Sequence, residues 1–329
     1  MLKLAPLLTA AALAASTVHA QAACEKTDKV VAAWLPIMQT TAYYVALEEK
    51  LFEKACIEID SQKMESPNHI IDALVGGRAD FGPPGAAAGI AMLAESKFPG
   101  KFKVFGLQGG GIRAGRINDG LIVKADSPIA GFADLKGKTL GHVPGIQWRT
   151  IARHMVRSAG LDPDKDVKLV DLAVAMQVPA VLGGTADAVL ALEPVGSVAV
   201  ATGKAKRAIT NPVAMTIADP FYSGASVMTT KFLTERPDVA RRVVDVIDQA
   251  TDLANADFDK YKSVIPKYTP VKDDQLALLA QPYLRGFKDL DETDLKSYQA
   301  LVDVFVAEGV LKGPIDVRSK MLKPADVGQ

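Results

Sequence analysis

Histidine and cysteine are scarce in this chain of 329 residues, which holds four of the first and two of the second. His69, His142 and His154 are scattered along the sequence, and no close His/Cys/carboxylate group has the spacing of a metal site. Charge of one sign is also missing. The 38 basic and 38 acidic residues balance, so nothing in net charge recruits nucleic acid or an anionic membrane surface. There is no Gly-x-Ser-x-Gly elbow for a serine nucleophile. The stretch "GFADLKGKT" mimics a phosphate loop, but five residues separate Gly131 from Gly137 where the backbone cradle needs about four. The apolar stretch 173–203 is interrupted by Pro179, Asp187, Glu193 and Pro194, which reads as buried strand and helix rather than a membrane span. No metal and no cofactor is expected.

What is present begins with residues 1–20. Lys3, the apolar run "LAPLLTAAALAA" and a small-residue site at Val18-His19-Ala20 read as a secretory signal peptide. The run is shorter than the ~18 residues of a membrane span. Cys24 follows closely enough to raise the question of a lipid anchor, but Gln21 puts a polar residue where a lipoprotein signal wants an apolar one. In an exported chain with two cysteines, a Cys24–Cys56 disulfide is the expected outcome, contributing about 2–4 kcal/mol. The length calls for two domains.

Short β-rich runs alternate with helical patterns: 29–35, 43–55, 56–62, 69–77 and 79–82, then a second series from 119 onward. Such alternation marks βαβ units and a parallel sheet covered on both faces. One phrase occurs twice, 107 residues apart: "ALVGGRADFG" from Ala73 and "AVLGGTADAV" from Ala180. In each copy an apolar helix ends at a glycine pair and a short strand follows. The repeat predicts two equivalent junctions whose strands carry loops toward one site, since open α/β sheets bind ligands beyond the carboxyl ends of strands. From 234 onward the pattern changes, with helical spacing over 234–260, 273–288 and 292–308.

Six segments in order, "YVALEEKLFEKACIEID", "ALVGGRADFG", "DSPIAGFADLKGKTLGHV", "SAGLDPDKDVKLVDL", "PAVLGGTADAVLALEP" and "TTKFLTERPDVARRVVDV", carry a resemblance. The chain resembles the periplasmic substrate-binding proteins of the nitrate/sulfonate/bicarbonate and taurine class, relatives of the thiamine-pyrimidine-precursor binders. The resemblance implies an α/β fold of two lobes, each a mainly parallel sheet flanked by helices, joined by two crossover segments. It places the first lobe over 27–120 plus 225–329 and the second over 121–224. It also implies a non-catalytic, monomeric receptor in the periplasm that closes around a small solute and hands it to an ABC permease and its ATPase. A sensor that reports to a membrane kinase, and a pyrimidine-precursor synthase, are the alternatives. The synthase would need a cysteine-rich motif absent here.

Candidate ligand contacts follow the strand-end loops. Gln39, Thr40 and Thr41 precede a helix whose exposed N–H groups attract anions or carbonyl oxygens, and either threonine also suits a helix cap. Pro84 and Gly85 lie in a rigid "GPPGAA" loop where the prolines stop a strand. Gln108 and Gly110 in "LQGGG" allow close backbone approach, and Arg113 offers a guanidinium. In the second lobe Gln147, Trp148 and Arg149 start a helix where relatives carry hydroxyl residues. Trp148 suits stacking on a planar ligand as well as core packing. Glu193 ends a strand and suits a ligand amine or a hinge salt bridge, and Tyr222 stands near the return crossing. Arginines and helix starts favour a small organic anion such as a sulfonate, a carboxylate or a nitrate-like ion. Trp148 and Glu193 keep a heterocycle open.

Overall fold

A computed structural model of the protein describes residues 24–328. The expected signal peptide, 1–20, lies outside the described residues. The chain opens with β1 (Asp28–Trp34), β2 (Ile57–Lys63), β3 (Phe81–Ala87) and β4 (Phe102–Gly110). It continues through β5 (Asp119–Lys124), β6 (Lys138–His142), β7 (Val167–Asp171), β8 (Ala188–Leu192) and β9 (Ala205–Thr210). It closes with β10 (Phe221–Thr229) and β11 (Tyr283–Arg285).

These strands form two helix-flanked sheets, ordered β11-β4-β10-β3-β1-β2 and β7-β6-β8-β5-β9. Both are mixed. The βαβ units are parallel as expected, with β1 beside β2 and β3, and β6 beside β7 and β8. Strands next to the crossings run the other way: β10 is antiparallel to β3 and β4, and β5 to β8 and β9. The chain leaves the first sheet after Gly110 and returns at Phe221.

The repeated phrase does the same work in both sheets. Helix Pro67–Val75 runs into Gly76 and left-handed Gly77, and helix Val174–Gly183 into left-handed Gly184, a conformation that favours glycine. The aspartate then pins the new strand to its parallel neighbour. Val31 N donates to Asp80 Oδ2 at 2.9 Å and Asp80 N to Val31 O at 2.9 Å. Thr139 N donates to Asp187 Oδ2 at 2.8 Å and Asp187 N to Thr139 O at 3.0 Å. Both clamps sit at the amino ends of β3 and β8, so it is the opposite ends of these strands that reach the cleft described below.

Two segments depart from the sequence reading. Pro83 and Pro84 do not end a strand, because β3 runs through them as a bulge. The pairing passes from Gly82↔Val227 to Ala86↔Ala225, leaving Pro83, Pro84 and Gly85 opposite Ser226 alone. Residues 273–288 are not a helix. A 3-10 turn over Asp273–Leu278 leads to β11, which pairs with β4. Pro282 and Gly286 bracket a piece too short for a helix, and the free edge of β4 takes it up. The helices Pro237–Ala256 and Glu292–Ala307 form as expected. Val239, Val243 and Ile247 pack with Val30, Phe81 and Phe105 of the first sheet. Phe305 shares a cluster with Trp148 and Met155 of the second series. Cys24 and Cys56 form the disulfide.

Candidate functional site

A cavity of about 460 Å³ lies between the two sheets. The first contributes Leu35 to Ile37 and Gln39 after β1, Met64 after β2, and Gly85 and Ala87 of β3. The second contributes Val143, Pro144, Gln147 and Trp148 after β6, Ala173 to Ala175 after β7, and Leu192 of β8. Every group therefore comes from the carboxyl part of a strand or just beyond it. Ser223 of β10 completes the wall. A larger hollow of about 730 Å³ is lined by helix Pro237–Ala256 and the chain from Phe287 onward, and it does not join the two sheets.

The floor is a chain of amides. Gln39 sits in the 3-10 turn Met38–Thr40. Its Nε2 donates to Asn118 Oδ1 at 2.5 Å and to Ser223 Oγ at 2.6 Å. Asn118 Nδ2 in turn donates to Asp119 Oδ2 at 2.8 Å. The turn is braced from behind, since Thr40 Oγ1 donates to Leu35 O and Tyr44 OH to Leu35 O and Ile37 O. Asp119 is fully buried, and desolvation raises its pKa to about 6.

Side-chain amides also occupy the backbone donors that an oxyanion would use. Gly85 N donates to Gln108 Oε1 at 3.0 Å, and Gln108 Nε2 donates to Ser226 Oγ at 3.0 Å. Gln147 reaches across the cleft: its Oε1 accepts from Gly89 N at 2.7 Å and its Nε2 donates to Ser223 O at 2.7 Å. A Cβ on Gly89 would lie 2.5 Å from the Phe305 ring and 3.0 Å from Gln147 Oε1, so only glycine admits this contact.

Of the residues singled out from sequence, Gln39, Gly85, Gln147 and Trp148 line the cavity. Trp148 is buried and also lines the cavity. Gln108 stands behind Gly85. Thr40 and Thr41 cap no helix by side chain and do not line the cavity; Thr41 Oγ1 donates to Met38 O. Pro84 is buried within the bulge, and Gly110 pairs with Phe221 at the crossing.

Four others are engaged outside the cavity. Arg113 is exposed and 3.9 Å from Asp219. Arg149 donates to Asp171 Oδ2 at 2.5 Å on the surface. Glu193 is buried against Arg207 and accepts from Ser197 N, and Tyr222 OH donates to Asp294. The arginines expected to serve an anion are thus committed elsewhere. Sequence reasoning missed Asn118, Ser223, Met64 and Leu192, which carry no local motif.

His142, at the end of β6, donates from Nδ1 to Val143 O, 2.9 Å away. Burial lowers its pKa. No group of three or more His, Cys, Asp or Glu that could hold a metal occurs among the described residues. No described helix is long and apolar enough to cross a membrane.

Comparison with known proteins agrees with this geometry. A protein of Brucella abortus (strain 2308), named as a candidate binding protein, is 24% identical over 298 residues, 86% of each chain. The periplasmic aliphatic sulphonate binding protein of Escherichia coli superposes with a TM-score of 0.72 at 16% identity, covering 91% of this chain and 93% of its own. A desulfurization enzyme, DSZB, superposes at 0.68 and 17% identity over 92% of this chain and 98% of its own. These likenesses establish a shared fold. The model of the NMT1/THI5 like family matches residues 37–260, more than half of the chain, and the protein belongs to that family.

Proposed function

We propose that this protein is the solute-binding component of an ABC importer. It is exported to the periplasm by its leader and works there as a monomer that delivers a small molecule to a membrane permease and its ATPase. The two lobes expected over 27–120 plus 225–329 and 121–224 follow the two sheets, so that β5 from Asp119 goes with the second lobe and β10 from Phe221 with the first, and ligand capture is closure of one on the other. The observation that carries this reading is the cavity shared by both sheets and bridged by Gln147. The sulphonate-binding neighbour supports receptor use of the fold. The DSZB neighbour keeps catalysis a property to test.

Helix amino ends and Lys63, the one cation among the described lining residues, are the features that would favour an anionic solute, and Lys63 stands at the exposed rim beside Glu65. A thermal-shift screen of the refolded, ligand-free chain against sulfonates, carboxylates, nitrate and neutral heterocycles tests the receptor reading. Binding to the native state alone raises the melting temperature. A shift accompanied by compaction in solution scattering, with the compound recovered unchanged, is expected. A recovered product would reassign the protein to catalysis.

A further inference from the structure

The polarity of the cleft floor is set from inside the protein. An ionised carboxylate only accepts hydrogen bonds, so Asp119 Oδ2 fixes which end of Asn118 it meets, the Nδ2 amide. Asn118 must then turn Oδ1 toward Gln39, and Gln39 must answer with Nε2. The carbonyl Oε1 is the end left over. It takes no hydrogen bond from any described residue and is not sealed from solvent, and Gln39 is one of the residues that line the cavity. Ser223 Oγ accepts from the same Nε2, which leaves its hydroxyl proton without a protein acceptor. The floor therefore shows a ligand one acceptor, Gln39 Oε1, and beside it one donor, the Ser223 hydroxyl.

An oxyanion suits this poorly. Its oxygens would face the lone pairs of Gln39 Oε1, and the N–H groups of Gly85 and Gly89 are already taken by Gln108 and Gln147. Around the floor the walls are apolar: Leu35, Ile37, Val143, Trp148, Val174 and Leu192. The one lining cation, Lys63, stands at the exposed rim beside Glu65, and burying a charge against the apolar walls away from it is costly. We infer that the Asp119–Asn118–Gln39 relay makes Gln39 a specificity-determining residue. It selects an uncharged, apolar-bodied solute that presents an amide-like edge, one N–H donor next to one carbonyl-type acceptor, and it rejects carboxylates and sulfonates. The inference rests on the receptor reading but fails separately from it.

Matched pairs test it on the full mature chain by isothermal titration: benzamide against benzoate, and benzenesulfonamide against benzenesulfonate. The neutral member is expected to bind at least about tenfold tighter in each pair, and Asp119→Asn, whose amide can face Asn118 either way, should narrow the ratio to less than about threefold. An anion that binds as tightly as its neutral partner overturns the inference while leaving a solute receptor in place. Should none of the four bind, side-chain amide NMR decides. Slowly exchanging Gln39 Nε2 protons in contact with Ser223 uphold the relay. A Gln39 carbonyl facing Ser223 overturns it.

Discussion

Gln147 joins the two halves of the molecule through Gly89 N and Ser223 O, and neutral hydrogen bonds of this kind contribute about 1 kcal/mol each. Gln147→Ala should therefore shift the closure equilibrium of the ligand-free protein toward the open form by about thirtyfold. Spin labels placed on the two lobes would report this as a longer distance population, and an unchanged distance distribution would show that Gln147 does not hold the cleft. At the amino end, the Cys24–Cys56 bridge spans 32 residues of sequence. The double substitution Cys24→Ser, Cys56→Ser should lower unfolding free energy by about 2–4 kcal/mol, read from urea midpoints at constant m-value. Loss of less than about 0.5 kcal/mol would mean that the segment is held chiefly by other contacts, such as the Arg242 bonds to Asp28, Ala55 and Cys56.

Element by element, β11 shows how an edge strand depends on one buried acceptor. Asp294 receives the Tyr222 hydroxyl, Arg285 Nε at 3.0 Å and Asp291 N at 3.0 Å, tying β10, β11 and the start of helix Glu292–Ala307 together. Burial and the neighbouring Asp294 carboxylate both raise the Tyr222 pKa. Asp294→Ala leaves the buried Tyr222 hydroxyl without its acceptor, while Arg285 keeps Asp289 O and Asp291, and should cost about 1–3 kcal/mol. Hydrogen exchange should localise the loosening to Tyr283–Arg285, and uniform protection across β11 would contradict the assignment. The same elements mark how far the sequence could be read. The βαβ series, the glycine-pair junctions and the long amphipathic helices were legible because their signals are local and periodic. β11 was not, since three residues carry no period and their pairing with β4 is set by an open edge more than 170 positions earlier. The bulge at Pro83–Gly85 looked like a terminator because proline usually removes a ladder bond, and only Gln108 shows where Gly85 N–H goes instead. The site was half legible for the same reason. Gln39, Gly85, Gln147 and Trp148 stand at or just beyond the carboxyl ends of strands, where the fold class points, whereas Asn118 and Ser223 meet Gln39 across separations of 79 and 184 residues.

For the whole molecule, acid stability follows from which carboxyls are buried. Asp119 and Asp248 are both raised from 3.8 to about 6, chiefly by burial. The folded chain therefore takes up these protons at higher pH than the unfolded chain does, and stability rises as pH falls from about 7 toward about 4. Each group contributes about 3 kcal/mol at most across that window. His142 opposes them, because burial lowers its pKa and the unfolded chain gains a proton there first as pH drops below 6.5. Below about 4 the balance reverses, as Asp28, Glu48, Glu49 and Glu292 are held low by Arg242, Lys267, Lys260 and Arg318 and lose those partners on protonation. Between pH 7.5 and 5.5 the two raised carboxyls gain about 1.7 kcal/mol together while His142 takes back up to about 1.4 kcal/mol, so the melting temperature should stay nearly level over that range and fall steeply below pH 4. Asp119→Asn should remove about half of the gain on the acid side while preserving the collapse below pH 4. Calorimetry of both proteins across this range checks the argument, and a pH profile between 7.5 and 5.5 that Asp119→Asn leaves unchanged would show that Asp119 is not desolvated.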